Sequence, residues 1–337
     1  MKRILALSLS ALLAFALTAC GSAAPVKATS AESRTHRLNI VTTIFPPYDF
    51  ARQIGGDAVS VTMLLKPGAE SHSYEPTPKD IKMVQSADLF IYTGSENDVW
   101  VEDILASMDS QKPDTLKMLD CVPTVEELLV EGMEPEHSDH EEAESASASG
   151  GSTSLEQDHE EPEIDEHIWT SPKNAMLITE KISQEMQQRD PNHADLYVKN
   201  TATFLKELQA LDGALTQVTA NAKRKTLLFG DRFPFRYLAD AYGLNYYAAF
   251  SGCSTETEAD ASTVAFLVDK VKEEQLPVVF TLELSNGKIA DSIADATGAR
   301  KLTLHSCHNL TQEEWNRGET YISIMNKNVD QLKEALN

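Results

Sequence analysis

The sequence predicts an α/β fold of two similar lobes, each with a mainly parallel sheet flanked by helices, joined by a long helical connection. Three observations carry this expectation. Strand-like and helix-like segments alternate over residues 37–120 and again over the last third of the chain, and repeated β-α units imply parallel sheets covered by helices. Two long amphipathic helical stretches lie between the two alternations. The 337 residues, 42% of them hydrophobic, are enough for two cores at ~100–200 residues per domain.

The chain opens with a basic "MKR" and an apolar run, "ILALSLSALLAFAL". That run is too short and wrongly flanked for a spanning helix, and it has the form of an export signal. It ends in "LTAC", Leu17 to Cys20, which resembles the lipobox of bacterial lipoproteins, whose cysteine is lipid-modified. The expectation is a signal peptide over 1–20, lipidation at Cys20 and a flexible tether over 21–36.

An N-terminal lobe is expected over 37–170. "RLNIVTTI" is β-branched and apolar, so it predicts a strand. "PPYDFARQIGG" predicts a helix with Pro at its start and Gly at its end. "AVSVTMLL" and "DLFIYTG" are strands by the same logic, with "TPKDIKMVQSA" a short helix between them. Residues 131–163 break the pattern: they are acidic, rich in Ser and Gly, and nearly free of large apolar side chains. Such a stretch cannot bury enough surface to offset its ordering entropy, so a disordered loop is expected. It contains His137, His140 and His159, an auxiliary set able to collect metal weakly.

Connecting helices are expected over 171–222. "SPKNAMLITEKISQEMQQRD" opens on a Ser-Pro start signal and stops before Pro191. Tyr197, Phe204, Leu208, Leu211, Leu215 and Val218 then mark one face of a second helix. The C-terminal lobe, 223–337, has strands at "KTLLFG", "NYYAAF", "PVVFTLEL" and "RKLTLHS". Its helices are "FRYLADAYG", "ASTVAFLVDKVKEEQ", "GKIADSIADATG" and the closing "TYISIMNKNVDQLKEALN".

The net charge of −23 is unevenly spread: residues 131–166 hold 14 acids and no Lys or Arg. Nucleic acid is excluded as a partner, because phosphate binding needs clustered Lys and Arg. With Cys20 assigned to lipid, Cys121, Cys253 and Cys307 remain, so at most one disulfide can form. No His-Glu-x-x-His helix, Gly-x-Ser-x-Gly elbow or phosphate-cradling glycine loop occurs, which speaks against an enzyme.

Of nine histidines, three stand where a strand ends or an ordered element begins: His72 in "PGAESHSYEPTP", His167 before "IWTSP", and His305 ending "RKLTLH". Ligand sites in such folds lie outside the carboxyl ends of the strands. The three imidazoles are therefore expected to converge in the cleft, where neutral histidines suit Zn2+.

These motifs carry a family resemblance. The stretch from "TTIFPPYDFARQIGG" through "KPGAESHSYEPTP" to "DLFIYTG" resembles the opening lobe of the zinc and manganese solute-binding lipoproteins of ABC importers. "DEHIWTSPKNAM" is similar to that family's second signature and "DPNHADLYVKNTATFLKELQALD" to the helix that follows. The resemblance covers roughly residues 38–335 and implies His72 and His167 as the first two ligands. It puts Arg232 at the third ligand position, where a guanidinium cannot bind a cation, with Asp231 adjacent. It puts His305 at the fourth, usually an acid, and the extra nitrogen favours zinc over manganese.

Cys253, Glu256, Glu283, Asp231 and water remain candidates for the missing donor, and Arg232 is expected to pair with a carboxylate such as Glu283. Cys253 has three open fates: a disulfide with Cys307, a thiolate ligand, or a free thiol. The function implied is extracytoplasmic capture of zinc by a monomer, lipid-anchored to the bacterial cell membrane, and delivery to an ABC importer permease. Alternatives are the same fold carrying manganese, iron or a metal chelate, a zinc-dependent hydrolase, or an adhesion or metal-buffering module.

Overall fold

Short β-branched and apolar runs set the two sheets. In the computed structural model, the described residues are 37–70, 74–108, 112–133, 163–254 and 258–337. The signal and tether with Cys20, the loop histidines His137, His140 and His159, and also His72 and Glu256, lie outside the described residues. The first sheet contains β1 (Leu38–Thr42), β2 (Val59–Met63), β3 (Leu89–Tyr92) and β4 (Asp114–Lys117), all parallel, in the order β2-β1-β3-β4. The second contains β5 (Thr226–Arg232), β6 (Asn245–Phe250), β7 (Val278–Thr281) and β8 (Arg300–Thr303), parallel, in the order β6-β5-β7-β8. The two orders are the same, so the two-lobe α/β expectation describes the architecture. In each sheet the connections part between the two central strands, and ligands collect beside such switch points.

Helix signals placed most helices. In α1 (Phe45–Gly55) prolines occupy the first turn and Gly56, at φ 51°, ends it. In α2 (Pro78–Gln85) Thr77 and Asp80 form a reciprocal capping box. α3 (Val99–Ser107) has no side-chain cap, and residues 95–130 carried no clear signal in the sequence. β4 was equally silent, because its four residues "DTLK" are half exposed and do not alternate. Pairing of Leu89–Tyr92 against Asp114–Lys117 makes it an edge strand.

α4 (Pro172–Arg189) and α5 (Ala194–Ala220) form the connection between the sheets. At 1.5 Å per residue, the 27 residues of α5 extend about 40 Å. Its buried face runs through Tyr197, Thr201, Phe204, Leu208, Leu211, Leu215 and Thr219. Thr219 takes the place expected for Val218, its hydroxyl donating to the Leu215 carbonyl at 2.9 Å. The second half adds α6 (Arg236–Tyr242), α7 (Ala261–Glu273), α8 (Lys288–Thr297), α9 (Gln312–Arg317) and α10 (Tyr321–Leu336). α10 returns to the first half: the Tyr321 amide donates to Asp49 at 2.9 Å, and the Phe50 ring meets both Phe204 and Tyr321. The chain's last helix thus seals α1 against α5.

Strand ends differ from the sequence reading where they feed the cleft. β7 and β8 stop at Thr281 and Thr303, and β5 runs two residues further than expected, to Arg232, with a register shift after Phe229. The residues freed at Leu282–Ser285 and Leu304–Leu310 become loops at the carboxyl ends of the second sheet.

Candidate metal centre

Three side chains converge among the described residues: Glu166, His167 and His308, with one donor atom from each lying within 4.8 Å of the others. Glu166 Oε1 stands 3.9 Å from Nε2 of His167 and 3.9 Å from Nε2 of His308. Two donors on a tetrahedral zinc at about 2.0–2.1 Å are roughly 3.3 Å apart. The two Glu166–imidazole separations would shorten by about half an ångström, and the imidazole pair would close from within 4.8 Å, for these atoms to meet on an ion.

The local sequence explains how Glu166 and His167 reach this point. Residues 126 and 164 pair as an antiparallel bridge, and Asp165 donates its amide to Val125 at 3.0 Å. The chain then enters a tight 3-10 turn, Ile168–Thr170, whose Trp169 is wholly buried. The Trp169 indole N–H donates to the Ser306 carbonyl at 2.9 Å, and the Tyr321 hydroxyl donates to the Trp169 carbonyl at 2.6 Å. Trp169 is therefore a peg between the turn bearing His167 and the turn bearing His308, with its ring centroid 5.6 Å from His167 and 5.0 Å from His308.

Asp165 Oδ1 accepts from the His167 amide at 2.8 Å and lies 3.1 Å from its Nδ1. A proton held on Nδ1 leaves the Nε2 lone pair directed at the cluster, the usual orientation device for a metal-binding imidazole. Burial lowers the His167 pKa, but the hydrogen bond and charge of Asp165, with Glu166 and Glu127, outweigh it and raise it above the ordinary value. A buried carboxylate beside two imidazoles is costly unless it is compensated, and a divalent cation compensates it.

His308 comes from the turn after β8. Cys307 there sits at φ 61°, left-handed for a non-glycine residue, which reverses the chain between His305 and His308 at a cost of roughly 1 kcal/mol. Glu283 secures the turn by accepting the Ser306 amide at 2.9 Å and the Ser306 hydroxyl at 2.6 Å. The turn is also stitched to the first half. The Phe45 amide donates to the His308 carbonyl at 3.2 Å, and Asn309 donates to the carbonyls of Lys66 and Ala69 at 2.7 and 2.8 Å. Ala69 and Glu70 line a cavity shared with His167, Arg232, Glu283 and His308. A second cavity is lined by Thr43, Tyr74, Thr93, Asp98, Glu166 and also His308.

The remaining expected site residues are placed differently. His305 is not brought to the cluster: Nδ1 faces the Cys307 amide at 2.9 Å and Glu283 at 3.4 Å, while Nε2 faces Glu314 at 3.4 Å. Its surroundings hold α9 and α10 rather than an open cleft. Asp231 is absorbed in the second sheet, accepting from the Thr281 hydroxyl and the Leu282 amide at 2.9 and 3.1 Å. Arg232 reaches Glu70 at 3.1 Å and the Ser254 carbonyl at 3.2 Å. The expected Arg232–Glu283 pair is replaced by one with Glu70, because Glu283 is committed to Ser306.

The Cys253–Cys307 disulfide is not formed. Both thiols are free and buried, Cys253 among Glu127, Asp165 and Glu166, Cys307 near Glu283, Glu314 and Asp49. Burial first, then those acids, push the Cys253 thiol far up, which disfavours a thiolate ligand.

Two members of the cluster were missed in the sequence. Both signals were present: Glu166 adjoins a predicted ligand, and His308 lies in the same "LTLHSCHNL" turn as His305.

Comparison with known proteins agrees with this architecture. The chain is 33% identical over 335 residues to the zinc-binding lipoprotein AdcA of Streptococcus pneumoniae, covering 99% of this chain and 61% of AdcA. It thus spans under two thirds of that relative's length. It is 32% identical over 320 residues to the high-affinity zinc uptake system protein ZnuA of Bacillus subtilis, covering 95% of this chain and 93% of that protein. The crystal structure of the Zn(II)-bound ZnuA-like domain of S. pneumoniae AdcA superposes with a TM-score of 0.68 at 30% identity, over 89% of this chain and 99% of that domain. The family model described as zinc-uptake complex component A, periplasmic, matches residues 40–335, and the chain belongs to that ZnuA family.

Proposed function

We propose that the protein captures zinc outside the cytoplasm and delivers it to an ABC-type importer through a membrane permease. The observation that carries this reading is the buried cluster of Glu166, His167 and His308. Two imidazole nitrogens and one carboxylate oxygen are a donor set suited to zinc. His308 replaces His305 as the histidine supplied by the last strand-to-loop turn. His72 is a further donor in this reading: Glu70 and Tyr74, on either side of its segment, both line cavities that reach His308. Relatives matching nearly the whole chain bear zinc-binding and zinc-uptake names, which supports zinc over manganese, iron or a chelate and a carrier over a hydrolase. Cys20 supplies the lipid anchor of a monomer, and His137, His140 and His159 are an auxiliary set that collects metal weakly.

The test is competitive zinc titration of the purified protein. Tight four-donor zinc sites bind with about 10–16 kcal/mol, so one donor is worth roughly 3–4 kcal/mol. His167→Ala, His308→Ala and His72→Ala should each weaken binding by about 10²–10³-fold. Removing residues 134–162 should leave the tight site intact. Unchanged affinity in His167→Ala and His308→Ala would overturn the reading.

A further inference from the structure

We infer that Ser95 sets the zinc-over-manganese preference of this site by holding Glu166 to one coordinating oxygen. The inference rests on the cluster being the cargo site. Glu166 uses its two oxygens differently. Oε1 is the atom that faces both His167 and His308, at 3.9 Å each. Oε2 accepts a hydrogen bond from the Ser95 hydroxyl.

The serine is itself held in place. Asp98 accepts the amides of Thr93 and Gly94 at 2.8 and 2.9 Å, and the Asp98 amide donates back to the Ser95 carbonyl at 3.0 Å. Gly94 stands at φ 87°, and a β-carbon there would run into the Lys117 side chain. The loop after β3 is therefore a closed turn that presents Ser95 to the carboxylate. Glu166 is 2% exposed, and its own carbonyl accepts the Ile168 amide at 2.8 Å.

A hydrogen bond from a fixed hydroxyl occupies one lone pair of Oε2 and turns the carboxylate so that Oε1 faces the imidazoles, which favours binding an ion through Oε1 alone. Zinc accepts this, because it fills a tetrahedral shell with four donors. Manganese favours oxygen donors and octahedral geometry, and a bidentate carboxylate is one route to a larger shell. Ser95 disfavours that route without touching the ion, so it is a positioning residue.

The experiment compares Ser95→Ala, Ser95→Thr and Glu166→Gln in the full chain stripped of metal. Cobalt(II) serves as a spectroscopic probe of coordination number, and zinc and manganese affinities are measured by competition. Ser95→Ala should lose the intense visible bands of four-coordinate cobalt, and its zinc-to-manganese affinity ratio should fall about tenfold, the usual scale for a residue supporting a ligand. Ser95→Thr keeps the hydroxyl and should match the wild type in both readouts. An unchanged spectrum and ratio in Ser95→Ala, or an equal loss in Ser95→Thr, overturns the inference. An unchanged cobalt spectrum in Glu166→Gln overturns the inference together with the assignment of the cluster as the site.

Discussion

Replacing Asp165 separates the orienting role of its charge from that of its hydrogen bonds. Asp165 Oδ1 alone faces both the His167 amide, at 2.8 Å, and Nδ1, at 3.1 Å. In Asp165→Asn an amide oxygen at the same place keeps both contacts and loses only the charge. Hydrogen bonds to a charged group are worth about 1.5–3 kcal/mol, roughly twice those between neutral groups. The asparagine should therefore weaken zinc binding by about 1 kcal/mol, or roughly fivefold. Asp165→Ala loses the Nδ1 contact altogether, freeing the ring to turn or change tautomer. Its expected loss is about 2–3 kcal/mol, or roughly 30–150-fold. Competitive zinc titration of both variants, with urea unfolding of the zinc-free proteins as a control, measures the difference. Equal losses in the two variants, or none in Asp165→Ala, would refute the assignment of Asp165 as the group that aims Nε2 of His167.

Gly252→Ala should disturb the same ring from the opposite lobe, since a β-carbon there would sit 2.9 Å from the Phe233 carbonyl and 3.3 Å from His167 Nδ1. Overpacking of this kind costs about 1–3 kcal/mol, read as a lower urea midpoint together with weaker zinc binding; an unaltered midpoint would count against the packing described. Glu314 should shape acid stability. Burial tends to raise its pKa, yet the hydrogen bond and charge of His305, with the Thr311 amide and hydroxyl, hold it at about 2, below the ordinary 4.5. A depressed acid stabilises the fold above its unfolded pKa and loses that contribution as pH falls through the folded value. Zinc-free Glu314→Gln should thus show a shallower fall in stability between about pH 4.5 and 2 than the wild type, measured by urea unfolding; parallel slopes would refute it. Glu314 is partly solvated, so the change should be modest.

The parts of the fold legible in the sequence were those written in local chemistry. "RLNIVTTI" is short, β-branched and apolar, which predicts a strand, and the prolines and glycine around "PPYDFARQIGG" bound a helix from both sides. The β4 segment "DTLK" has no such signature, because an edge strand is defined by the neighbour it pairs with. The site divides in the same way. His167 stood out because an aromatic residue and a Ser-Pro helix start follow it, and those features fix its turn. The choice between His305 and His308 was not legible. The two lie three positions apart in one turn with the left-handed Cys307 between them, and His308 faces Glu166 while His305 faces Glu314.

Two parallel sheets and the connecting helices were legible in the chain itself, since hydrophobic periodicity and helix punctuation act over a few residues at a time. Only the tertiary structure decided which donors meet. Glu166, His167 and His308 are separated by up to 142 positions yet lie within 4.8 Å, and they meet because Trp169 donates to Ser306 and Asn309 ties the last turn to residues 66–69. The partners in such contacts are set by packing across the lobes, and no local pattern in the chain encodes it.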